Sequence, residues 1–192
     1  MSIPENERWI LSYYRNSEIS GSLFFGRLAR ALRAGPIQRD LSKHFADEAQ
    51  HAWYWTKCLD ELDSSPIKMS EAYQDQYLEA VGLPSNLMEV LAITQIFERR
   101  VINQYTKHLA AADISLPVES TLKKIMEDEV WHIQWVRDAL IDLEPKFGKD
   151  HIAETIKRFR DADREIYAKT LAEHEQRLDV LLSKPTKEKE SQ

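Results

Sequence analysis

Two segments of the chain, Asp47-Glu48-Ala49-Gln50-His51 and Asp128-Glu129-Val130-Trp131-His132, place a carboxylate three residues before an imidazole. On a helix, residues three apart lie on one face a turn apart, so each Glu-x-x-His pair can grip one metal ion. Each motif has a further acid upstream: Glu18 lies 30 positions before Glu48, and Glu98 lies 31 before Glu129. The set Glu18, Glu48, His51, Glu98, Glu129 and His132 offers hard oxygen with some nitrogen, which suits two iron ions and also accepts manganese or zinc. Four carboxylates buried without cations would cost roughly several kcal/mol each, and two divalent ions would balance them.

Ligands so far apart in sequence need helices to hold them level. Five glycines, seven prolines and apolar residues recurring three and four apart in 192 residues predict an all-α chain. Long helices are expected over residues 3–34, 36–62, 86–112 and 115–143. Gly35-Pro36 and Ser115-Pro117 supply tight turns, and Asn86-x-x-Glu89 supplies a capping box. A connection containing Ser64, Ser65, Pro66, Gly82 and Pro84 carries a short helix over residues 71–80. The midpoint of each Glu-to-Glu interval falls beside a turn, so an antiparallel hairpin sets Glu18 level with Glu48, and a second sets Glu98 level with Glu129.

The faces agree. Glu18 shares a stripe with Leu11, Tyr14, Ser22 and Phe25, and Glu48 shares one with Leu41, Phe45, Ala52 and Trp55. Glu98 lies with Leu91, Thr94, Ile102 and Tyr105, and Glu129 with Leu122, Ile125, Val136 and Leu140. Residues 1–148 are therefore expected to form the metal-binding bundle. A fifth helix within residues 149–182 should pack on it or on a partner subunit, and residues 183–192 form a disordered tail.

Composition narrows the function. The single cysteine, Cys58, excludes an internal disulfide and CxxC metal sites, fits a reducing compartment, and is expected to be a small buried residue. No run approaches 18 apolar residues, and the N-terminus lacks a basic stretch followed by an apolar core. The expectation is a cytoplasmic protein without membrane insertion. A net charge of −6 speaks against a nucleic-acid partner.

The pattern E…ExxH…E…ExxH on four helices resembles the ferritin-like di-iron and di-manganese carboxylate superfamily across about residues 5–143. The resemblance implies a ferritin-like four-helix bundle, made of two antiparallel hairpins joined by a crossover, with a C-terminal fifth helix added. Storage ferritins generally lack the second ExxH, so the likeness is nearer to rubrerythrins, oxygenases, desaturases and radical-generating subunits. Rubrerythrin-like peroxidases carry a seventh carboxylate one turn from the third-helix Glu, where this chain has Gln95 and Val101. The resemblance thus implies a di-iron or di-manganese oxidoreductase activating O₂ or peroxide. Its partners would be an external electron donor and a small organic substrate, and a homodimer is expected. The alternatives are a ferroxidase or iron-handling protein without organic substrate, and a structural bundle whose site holds zinc or nothing.

Asp47 and Asp128, each one residue before a ligand Glu, turn about 100° away from it. They are expected to accept the free ring N–H of the opposite histidine, Asp47 from His132 and Asp128 from His51, and so to fix each ring's tautomer. Tyr14, Trp55 and Tyr105 lie on the metal-facing stripes, as electron-relay candidates or as core aromatics. Gly21, Ser22 and Gly26 leave room either for a channel or for close helix packing. His44, one turn before Glu48, is expected at the boundary or behind the ligands, while His108, His151 and His174 are expected on the surface. Trp131 and Trp135 are expected to pack against the fifth helix or another subunit.

Overall fold

A computed structural model describes residues 3–69, 72–111 and 113–183, with only the backbone of residues 169 and 170. Among these residues the chain is all-helical. Its elements are α1 (Glu5–Ala31), α2 (Pro36–Glu61), α3 (Tyr73–Val81), α4 (Leu87–Leu109), α5 (Leu116–Asp142), α6 (Glu144–Phe147), α7 (Lys149–Thr170) and α8 (Ala172–Leu182). No described helix is long and apolar enough to cross a membrane. The predicted tail beyond residue 183 lies outside the described residues.

Local chemistry explains the boundaries. Pro36 opens α2 at a position where its missing N–H costs nothing. Asn86 caps α4 by accepting from the Glu89 N–H at 3.1 Å, while the Glu89 carboxylate accepts from the Ser85 N–H and hydroxyl at 2.8 and 2.7 Å. The expected capping box therefore reaches one residue further back than predicted. α1 stops at Ala31 rather than 34 because Leu32 is extended (ψ 148°). α4 stops at Leu109, where the Ala110 N–H tightens onto Lys107 O.

α1 packs on α2 and α4 on α5, and the two hairpins meet where α2 lies against α5. Two apolar clusters fill the interior. One gathers Leu11, Tyr14, Trp55, Tyr105, Leu122 and Ile125, and the other gathers Phe25, Leu41, Leu91, Val136 and Leu140. On α1, α2 and α5 the acidic residue singled out above falls between the two clusters, and on α4 Glu98 falls between Leu91 of one and Tyr105 of the other, so the chain builds a polar layer with apolar residues on both sides.

The expected single fifth helix is two helices. Leu171 (φ −107°, ψ 13°) turns the chain, and α7 packs on α4 while α8 packs on α1. The turn lets Leu171, His174, Leu178 and Leu181 bury one continuous face, which a straight helix would carry past the end of α1. His151 is exposed, but His108 and His174 are fully buried, contrary to the surface positions expected. They meet at the α4, α8 and α1 junction beside Tyr14, and their four ring nitrogens find no hydrogen-bond partner among the described residues.

Burial pushes both imidazoles down to about 4. The unfolded chain takes up these protons near pH 6.5 and the folded chain only near 4, so their contribution to stability is lost as pH falls through that window. Each can cost at most about 3 kcal/mol. The double substitution His108→Leu, His174→Leu should flatten the fall of melting temperature between pH 6.5 and 4 relative to the wild-type chain. An unchanged slope in thermal denaturation would assign the acid sensitivity elsewhere.

Candidate metal centre

Glu18, Glu48, Glu98 and Glu129 each come from the middle of a long helix and are at most 6% exposed, and His51 and His132 are fully buried beside them. All six residues singled out from spacing converge. Their donor atoms form two groups, each within 4.8 Å: Glu18, Glu48, His51 and Glu129 in one, and His44, Glu48, Glu98 and His132 in the other. Glu48 belongs to both. Glu129 also spans them, with Oε1 3.5 Å from His51 Nδ1 and Oε2 3.0 Å from His132 Nδ1. Glu18 and Glu98 stand at the outer ends.

Proton placement follows from the partners. His51 Nε2 lies 3.2 Å from Asp128 Oδ2 and His132 Nε2 lies 3.2 Å from Asp47 Oδ2, the crossed pairing expected from the sequence. A carboxylate accepts, so each Nε2 carries a hydrogen and each Nδ1 faces the acids, holding a second proton in the imidazolium form and a lone pair once that proton is lost. His51 Nδ1 and Glu129 Oε1 are buried without a hydrogen-bond partner among the described residues. Orphaned donor atoms of this kind, set among four buried carboxylates, are what a cation would satisfy, and the donor chemistry fits iron, manganese or zinc.

Of the two positions expected for His44, a boundary or a place behind the ligand set, the structure shows the second: it is fully buried, with Nε2 3.3 Å from Glu48 Oε1 and 3.2 Å from Glu98 Oε1. Its spacing four before Glu48 and seven before His51 was the available signal. Distance alone would make it a ligand, but the Trp135 indole N–H donates to His44 Nδ1 at 3.2 Å. Indole nitrogen only donates, so neutral His44 carries its proton on Nε2 and offers it to the two carboxylates. His44 thus orients Glu48 and Glu98 rather than competing for a metal. Trp135 therefore faces the site instead of only meeting the later helices, while Trp131 lies under the Lys43 ammonium at 3.9 Å.

The electrostatics share one cause. Burial, then the neighbouring carboxylates, holds Glu48 and Glu129 well above the usual carboxyl range. Burial opposes ionisation of Glu98 too, but the His44 and His132 imidazoles outweigh it and hold Glu98 well below. Burial disfavours the His51 cation, yet Glu18, Glu129 and Glu48 outweigh it and push it up to about 10. His132 is raised likewise by Glu129, Asp47 and Glu98. Burial lowers His44 and keeps it neutral. The rises at Glu48, Glu129, His51 and His132 all favour holding protons in this layer.

The relay candidates join the site unequally. The Tyr105 hydroxyl donates to Glu18 Oε1, and Trp55 Nε1 donates to the Tyr105 oxygen at 3.1 Å. Tyr14 stands edge-on to Tyr105 at 4.7 Å, with its hydroxyl unpartnered among the described residues. Gly21 and Gly26 serve close packing: a Cβ at Gly21 would collide with Glu48 Oε2, and one at Gly26 would meet the Phe45 ring at 3.1 Å. Phe45, expected on the core stripe, is 39% exposed because it leans over Gly26 on the outside of α1.

Comparison of the chain with family models, with curated proteins and with solved structures finds no match in any of the three.

Two variants separate function from stability here. In metal-free protein Glu48→Gln removes a group whose carboxyl is raised by burial. The wild-type chain loses stability as pH rises above the unfolded value near 4.5, so the melting temperature gained by Glu48→Gln should grow from pH 5 to pH 8. A gain independent of pH would contradict the buried-acid assignment. Gly21→Ala should fold normally by circular dichroism, since only the end of the Glu48 side chain must yield, yet lose at least about tenfold in metal affinity in a chelator competition.

Proposed function

We propose that this chain is a dimetal carboxylate oxidoreductase with a ferritin-like four-helix bundle, holding two iron ions and reacting with O₂ or peroxide. The observation that carries this is the convergence of four buried carboxylates and two Nδ1 lone pairs on two donor groups that share Glu48. Glu18, Glu48, His51 and Glu129 would hold one ion. Glu98, Glu48, His132 and Glu129 would hold the other, and manganese suits the same donors. Bound iron would supply the reducing electrons and open coordination positions at which an oxygen species is reduced, with an external donor restoring the electrons.

The protein's own part is positional. Asp47 and Asp128 keep the two imidazoles in the ligating tautomer, and His44 steers Glu48 and Glu98 by hydrogen bonding. The Tyr105 hydroxyl, hydrogen-bonded to Glu18, can pass a proton to that carboxylate or steady it. The apolar clusters above and below exclude bulk water from the acids.

A second reading, an iron-oxidising or iron-handling protein without organic substrate, draws on the size of the space beside the acids. The cavity lined by Glu18, Glu48, Glu98, Tyr14 and Tyr105 measures about 20 Å³, room for one or two water-sized molecules.

Elemental analysis of protein grown in iron-replete medium, with absorption spectra as the reduced protein meets air, tests both. About two irons per chain and an oxygen-dependent absorption change are expected. Glu48→Ala or Glu129→Ala should cut the metal content below about one tenth. Uptake well beyond two irons favours iron handling, two zinc ions without reaction leave a structural site, and no metal at all overturns the proposal.

A further inference from the structure

The small cavity beside the acids is not isolated. A surface groove of about 440 Å³ runs between α1 and α3, bordered by Ser20, Leu23, Arg27, Asp75, Leu78 and Leu83. Groove and cavity share two lining residues, Phe24 of α1 and Gln74 of α3. These two half-buried side chains are what separates solvent from the space at Glu18, Glu48 and Glu98 along this line.

The fastening of α3 shows which seam can part. On its α7 side α3 is held hard, with the Tyr73 hydroxyl donating to Asp163 at 2.5 Å and the Tyr77 hydroxyl to Phe159 O at 2.8 Å. On its α1 side the hydrogen bonds are long: Ser20 to Asp75 at 3.4 Å, and Gln74 Nε2 to Ser17 O at 3.5 Å. Bonds at those lengths contribute little. Gln74 Oε1 is buried with no partner among the described residues, which leaves that side chain poorly anchored where it closes the cavity.

We propose that Phe24 and Gln74 form a size-selecting port, which opens along the α1 and α3 seam and admits to the acids only reactants of about two or three heavy atoms. The port is a property of the fold, whereas naming its reactant as dioxygen or hydrogen peroxide rests on the dimetal reading. The inner space holds one or two water-sized molecules, which such a reactant fits and a longer organic molecule does not. An organic co-substrate would stop in the outer groove.

The test is built so that the two claims fail separately. In metal-free protein carrying Cys58→Ser, Ser17→Cys places a thiol on the cavity wall. Its labelling rates with methyl methanethiosulfonate and with a bulky aryl maleimide are normalised to Leu23→Cys on the open groove. The small reagent should outpace the bulky one by at least tenfold more at residue 17 than at residue 23. Adding Phe24→Ala or Gln74→Ala should raise the bulky reagent's rate at least tenfold, and Gln74→Trp should slow the small one. Circular dichroism checks that each variant folds. Residue-17 rates that ignore both Phe24 and Gln74 overturn the port whatever the metal result. In cobalt-loaded protein, azide association followed by its spectral change should accelerate in Phe24→Ala. Failure to load cobalt alongside gated labelling overturns the dimetal reading and leaves the port standing.

Discussion

Charge balance in a sealed layer governs this structure. Four carboxylates sit at the mid-height of four helices with apolar residues above and below, largely shielded from bulk water. Such a layer persists only if positive charge is held inside it. Burial and the neighbouring carboxylates raise Glu48 and Glu129 well above the usual carboxyl range, and the raised imidazoles of His51 and His132 stand beside Glu18, Glu98 and Glu129. His51 Nδ1 and Glu129 Oε1 are left without a hydrogen-bond partner among the described residues.

A second tier of contacts decides where protons reside. Asp47 and Asp128 reach across between α2 and α5, each to the histidine of the other helix, so the two motifs are locked together as well as aligned. Trp135 acts in the opposite sense on His44: an indole can only donate, so the His44 proton is directed toward the acids. Three imidazoles in one layer thereby take two different roles, and the atom bonded to the far ring nitrogen sets each role.

Among the described residues the remaining helices frame the site without contributing to its two donor groups. α7 anchors α3 through Tyr73, Asp163 and Arg100, and α8 lays His174 and Leu178 over the end of the bundle beside Tyr14. The contrast between the firm α3 and α7 seam and the loose α3 and α1 seam gives the protein one weakly closed side. That side lies next to the small cavity lined by Glu18, Glu48 and Glu98.

Much of this was legible in the sequence, because helical periodicity is a local property. The four long helices, the turns at Gly35-Pro36 and before Pro117, and the meeting of Glu18, Glu48, His51, Glu98, Glu129 and His132 follow from residue spacing and from hairpins that must be antiparallel. The Asp47 and Asp128 contacts were readable for the same reason, since a 100° offset on paired helices leaves the opposite motif in reach. What spacing could not supply was the neighbour across a helix interface. His44 and Trp135 lie 91 positions apart, and only packing α2 against α5 turns a boundary histidine into a directed donor. His108 and His174 looked like surface residues, but the bend at Leu171 lays α8, with His174 on its inner face, against Tyr14 beside His108. Phe45 sits on the predicted stripe but outside the core, because Gly26 gives its ring a place on the flank of α1. The sequence by itself determined most of the inward-facing stripe along each of the four long helices, the four acids included. Tertiary structure decided which of those faces meet and hence where each proton sits, because hydrogen-bond partners and desolvation depend on segments distant in the chain.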